Sequence, residues 1–136
     1  MSKGVRPAMR FIHHLSLPSR DLKRSAAFYD PVMKALGYKR VFTNEWVIGY
    51  GLVKNQDQFA LRLRQREKIM TGDGFHIAFV APSRKAVDAF YRAAMKHGGK
   101  DNGGSGLNPE YGKNYYAAFV FDPDGYRIEA VINGRA

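Results

Sequence analysis

The sequence predicts an α+β domain built from two tandem βαβββ modules, and three observations predict it. Residues 14–37 align with residues 76–99 at a constant offset of 62, with eight identities in 24 positions and no gap. Chance gives about one or two at ordinary residue frequencies. Each copy then runs from a short apolar strand into a helix with 3.6-residue spacing and a glycine stop. Short alternating segments follow each helix, the pattern of an antiparallel sheet covered on one face. One domain over 1–136 is expected, with module one at about 9–66 and module two at about 74–133. Two mixed or antiparallel curved sheets with helices on their outer faces would enclose a cleft, and concave sites bind small ligands.

The elements follow in order. Phe11–Leu17 reads as the first strand, and Ser19 or Asp21 as the N-cap of a helix over Leu22–Leu36, stopped by Gly37. Lys39–Thr43, Trp46–Val53 and Gln58–Arg64 alternate as strands. Phe75–Val80 opens the second copy, Pro82-Ser83 starts its helix, and Gly98-Gly99 ends it. Gly103–Gly112 reads as a loop beside the site. Tyr115–Phe121 and Tyr126–Ile132 form the closing hairpin around the turn Asp122-Pro123-Asp124-Gly125.

Composition narrows the function classes. The 136 residues include 45% hydrophobic and 25% charged residues, enough for one core and too apolar for disorder. With no cysteine, disulfides and thiolate metal sites are excluded. Met1–Arg10 lacks the apolar stretch of a signal peptide, and no apolar run nears the ~20 residues of a membrane span. A cytoplasmic protein without a membrane partner is the expectation. The net charge of +10 is spread along the chain, and the aromatics sit in core-like patterns and not among the cations. Nucleic acid is therefore the weakest partner class.

Several segments carry a family likeness. Ile12-His13-His14-Leu15-Ser16-Leu17, with Asp21-Leu22-Lys23-Arg24-Ser25 and Phe28-Tyr29, resembles the opening of vicinal oxygen chelate proteins. Phe75-His76-Ile77-Ala78-Phe79 resembles their second-module opening, and Asp122–Glu129 their closing hairpin. This superfamily includes glyoxalase I, extradiol dioxygenases, and bleomycin and fosfomycin resistance proteins. The resemblance runs from about Met9 to Ile132 and implies the glyoxalase-like fold and a homodimer. It does not select an activity, because the scaffold hosts isomerases, oxygenases and pure binders.

Pleating indicates which side chains meet. The large apolar residues of the three relevant strands should pack under the helices, which leaves His14, His76 and Glu129 facing the cleft. Two imidazoles and a carboxylate suit a divalent ion such as Fe, Mn, Ni or Zn. The resemblance implies the same three residues as metal ligands, with Glu129 also catalytic and no organic cofactor. The alternative is that both histidines line a cavity without a metal. By the same resemblance, the glyoxalase branch has a fourth ligand, usually Glu, on the last strand of module one. Arg62 is read at that position, and arginine offers only donors. Arg62 and Arg64 would instead favour an anionic ligand, whereas Arg66 reads as solvated. Tyr111 and Tyr116 are the aromatic candidates for substrate contact. Trp46 and Tyr50 read more as core, and His13 and His97 as structural.

The leading expectation is a metal-assisted lyase, isomerase or dioxygenase acting on a small oxygenated substrate, with an anionic group suggested by the arginines. The alternative is a metal-free binding or resistance protein.

Overall fold

The computed structural model describes residues 11–134. The leader reading of Met1–Arg10, and the start of module one at Met9, lie outside the described residues. In chain order the elements are β1 (Leu15–Ser19), α1 (Leu22–Ala35), β2 (Lys39–Thr43), β3 (Val47–Val53), β4 (Gln56–Leu63), β5 (His76–Val80), α2 (Arg84–Lys96), β6 (Lys100–Asp101), β7 (Gly106–Leu107), β8 (Tyr115–Phe121) and β9 (Arg127–Asn133). Among the described residues no helix is long and apolar enough to cross a membrane.

The duplication is visible in the hydrogen bonding. Asp21 Oδ1 accepts the Arg24 N–H (3.1 Å), and Ser83 Oγ accepts the Ala86 N–H (3.0 Å), so both helices are capped at the same repeat position. Ser25, Phe28 and Val32 are buried on α1, as are Val87, Phe90 and Ala94 on α2, again 62 apart. The C-termini break this offset. Gly37 (φ +91°) and Gly98 (φ +99°) take the left-handed position, 61 apart, so α2 ends one residue early and Gly99 is not the counterpart of Gly37.

Each module forms its own sheet, ordered β1-β4-β3-β2 and β5-β9-β8-β6, with β7 added against β8. The first and last strands of each copy pair in parallel, Leu15 opposite Phe59 and His76 opposite Arg127. Strand β1 begins four residues later than expected. The segment from Phe11 to His14 is exposed and outside the sheet, because β4 residues before Phe59 pair only with β3. Strand β7 falls inside the stretch Gly103–Gly112 that reads in sequence as loop, and β6 lies just before it.

One core joins the copies. Phe28, Tyr29, Val32 and Met33 of α1 share it with Val87, Phe90 and Ala94 of α2 and with the helix-facing residues of both sheets. The closing turn clamps the halves. Tyr29 OH donates to Asp122 Oδ2 at 2.5 Å, Tyr126 OH donates to the Pro18 carbonyl at 2.7 Å, and Arg24 pairs with Asp124. Asp122 Oδ1 also accepts the N–H groups of Asp124 and Tyr126. Burial dominates these contacts and pushes the Asp122 carboxyl up to about 6. The Asp-Pro-Asp-Gly segment is thus a structural latch.

Each helix covers its own sheet as expected, but the two helices also pack on each other.

Candidate ligand-binding site

The chemistry gathers on the open face of module two. Period-two alternation puts Arg127, Glu129 and Val131 on that face of β9, and the core side receives Ile128 and Ala130. Register brings His76 and Phe121 beside Arg127, and Ala78 and Phe119 beside Glu129. A cavity of about 390 Å³ opens here, walled by His76, Arg127, Glu129, Tyr111, Tyr115 and Phe119. Asp73, Asn102 and Ile128 complete its lining.

Glu129 is the centre of the site. The residue is 1% exposed, and both carboxylate oxygens are engaged. Oε1 lies 3.1 Å from His76 Nε2, and Oε2 accepts the Tyr115 hydroxyl at 2.5 Å. Burial first, then the Glu129 hydrogen bond, pushes the Tyr115 phenol well above its ordinary range, so it stays a donor at any working pH. The His76 side chain is 54% exposed and reaches from the edge strand towards the cavity mouth. A buried carboxylate held by a neutral phenol and an imidazole can accept a hydrogen bond, or a proton, from a ligand entering beside His76.

Arg127 is the residue that the sequence reading passed over. Its guanidinium lies over the Phe121 ring, 5.0 Å from the centroid. Its Nε is buried without a hydrogen-bond partner, a state that costs about 1–3 kcal/mol for a polar group. Among the described residues no carboxylate lies within 4.0 Å of its nitrogens, because Glu129 has turned to His76 and Tyr115. Strand alternation alone puts Arg127 on the Glu129 face, and that was the available signal.

The other expected site residues fall elsewhere. His14 precedes β1, exposed, with its Nδ1 2.8 Å from His13 Nδ1. It does not join His76 and Glu129: among the described residues no group of three or more His, Cys, Asp or Glu is arranged to hold a metal ion. Among the described residues of one chain, the expected set of three is present as the pair His76 and Glu129, with His14 apart from it. Arg62 is exposed on β4 and Arg64 lies just past its end, near Glu67 at 3.8 Å, so neither lines the cavity. Tyr116 points to the opposite side, where its hydroxyl donates to Asp88 at 2.7 Å and Arg84 covers its ring. Its neighbour Tyr115 takes the cavity place, because Phe119, Ala117 and Tyr115 alternate on the Glu129 face. Tyr111 does line the cavity, against Tyr115 at 5.3 Å between ring centroids.

Register also corrects the fourth-ligand position. Ser16 pairs with Ala60 as Ala78 pairs with Glu129, and Ser16 and Ala78 stand 62 apart in the repeat. The module-one counterpart of Glu129 is therefore Ala60, and Arg62 matches Val131. Alanine supplies no donor at all. A catalytic zinc-type site takes three protein ligands, and the described residues bring two to one point, already bonded to each other. The residues present in one chain do not fit a transition-metal centre.

Two βαβββ sheets with a polar cavity on the open face of the second make up the architecture. A sequence model of the Glyoxalase/Bleomycin resistance protein/Dioxygenase superfamily matches residues 11–130, and the chain belongs to that superfamily. A glyoxalase/bleomycin resistance protein from Albidiferax ferrireducens T118 superposes with a TM-score of 0.76 at 26% identity, covering 90% of this chain and 98% of that one. A glyoxalase-related enzyme from Fulvimarina pelagi shares the fold with a TM-score of 0.69 at 23% identity, over 92% and 89% of the two chains. The uncharacterized protein YqjT of Bacillus subtilis (strain 168) is 29% identical over 136 residues, 88% of this chain and 97% of that protein.

Proposed function

We propose that the protein binds a small oxygen-bearing ligand in the module-two cavity, and that this site needs no metal from its own chain. Glu129 accepts a hydrogen bond or proton from the ligand, His76 flanks it at the mouth, and Tyr115 fixes the carboxylate. The observation that carries the reading is the Glu129 carboxylate itself, buried and held by one phenol and one imidazole. An ion entering between His76 and Glu129 would displace their hydrogen bond and would find two protein ligands. The setting proposed is cytoplasmic. Thermal unfolding against a panel of small organic acids, diketones and phenols, with chelator present, tests it. Saturation at about 100 times Kd adds about 2.7 kcal/mol. The stabilisation is expected in chelator and is expected to vanish in Glu129→Ala. Stabilisation only after a divalent ion is added would contradict the reading.

A second reading is a metal-assisted lyase, isomerase or dioxygenase acting as a homodimer. It draws on the exposed His14 at the head of module one. A second copy laying module one over module two could bring its own His14 to His76 and Glu129. One ion per chain in a sedimenting dimer, lost in His14→Ala, would favour this reading.

A further inference from the structure

We infer that Arg127 is the anion-binding residue of the module-two cavity, and that the ligand class is a small aromatic carboxylate carrying a ring hydroxyl. The inference rests on that cavity being the ligand site. Arg127 lines it with a buried, unpartnered Nε and a guanidinium centred 5.0 Å from the Phe121 ring centroid. A guanidinium recognises planar oxyanions through paired N–H donors, and carboxylate is the small organic group that matches that fork. Two residues along the same strand face, Glu129 offers an acceptor, at a Cα spacing of about 6.8 Å for an extended chain. A ligand that meets both groups carries its carboxylate at one end and a hydroxyl at the other. Phe119 and Tyr111 wall the cavity with aromatic faces, which suit a flat ring between those ends. Asp73 also lines the cavity and makes no ion pair with Arg127, so the cation is left for the ligand.

The test uses isothermal titration of the full chain with 4-hydroxybenzoate and its neutral isostere 4-hydroxybenzamide, at low ionic strength and with chelator. The acid is expected to bind at least about tenfold tighter than the amide, a margin that shrinks with added salt. Arg127→Gln should bring the two within about twofold, Arg127→Lys should keep part of the preference, and Glu129→Gln should keep it while weakening both probes. Circular dichroism and thermal unfolding check that each variant is folded. Equal binding of acid and amide by the wild type would overturn the role of Arg127 and leave the cavity reading standing. Absence of binding by either probe would overturn the aromatic hydroxy-acid class, with the cavity reading decided by the wider thermal screen. A preference that survives in folded Arg127→Gln would overturn the inference as well.

Discussion

Asp122 gives the sharpest quantitative prediction, because its environment opposes its charge while its hydrogen bonds hold the two modules together. The folded-state value of about 6 lies above the ordinary 3.8. Between those pH values the folded protein binds a proton that the unfolded chain has released, so stability falls as pH rises from about 4 to about 6. A shift from 3.8 to about 6, at 1.36 kcal/mol per pH unit, amounts to about 3 kcal/mol. Other carboxylates titrate in the same window, so the clean quantity is the difference between wild type and Asp122→Asn. Asparagine keeps an acceptor for the Asp124 and Tyr126 N–H groups and cannot ionise. Urea unfolding followed by circular dichroism, from pH 4 to pH 7, should show wild type losing about 3 kcal/mol relative to the variant. A difference that stays flat within about 0.5 kcal/mol, or wild type gaining on the variant as pH rises, would refute the latch argument.

Three further outcomes follow from particular contacts. Tyr115→Phe removes the donor to Glu129 Oε2 and should cost about 1.5–3 kcal/mol, as a hydrogen bond to a charged group does, measured by urea unfolding at pH 7. Tyr126→Phe unhooks the closing turn from the Pro18 carbonyl and should cost about 1 kcal/mol, with no change in binding at the cavity. Gly99→Ala places a methyl 2.7 Å from Phe28 Cε1, 2.9 Å from the Ala94 carbonyl oxygen and 3.0 Å from the Phe121 carbonyl oxygen. Overpacking of this kind should cost about 1–3 kcal/mol in thermal unfolding, a stringent check on how closely the modules meet.

The fold was legible where local chemistry decides it. Asp21 and Ser83 announce the two helix starts, and Phe28 and Phe90 mark the same buried stripe. The alternation of Tyr115–Phe121 fixes a strand that the structure reproduces to the residue. What alternation cannot encode is the partner of a buried face. Phe28 is as content against its own sheet as against α2, so helix-on-helix packing was not readable. The Arg62 error has a different cause. The repeat offset is 62 at β1 and β5 but 69 between Ala60 and Glu129, because module two carries extra chain between helix and hairpin. The hairpin from β3 to β4 also shifts register at Gly51, which hides the correct alignment. Of the residues that line the cavity, Glu129 and His76 were legible by type and strand face and Tyr111 as the aromatic of the glycine-rich loop, whereas Tyr115 needed the pairing of β8 with β9. Arg127 was on the correct face in plain view, but nothing in sequence showed that Glu129 would leave it unpaired.

The most direct measurement is the metal content of the protein after equilibration with excess Zn(II), Ni(II) or Mn(II) and removal of free ion, determined per chain for wild type and His14→Ala. Wild type should retain far less than one ion per chain, unchanged by the substitution, and should still be stabilised by its organic ligand. One tightly held ion per chain, released by His14→Ala or Glu129→Ala, would contradict a site that works from Glu129, His76 and Tyr115 alone.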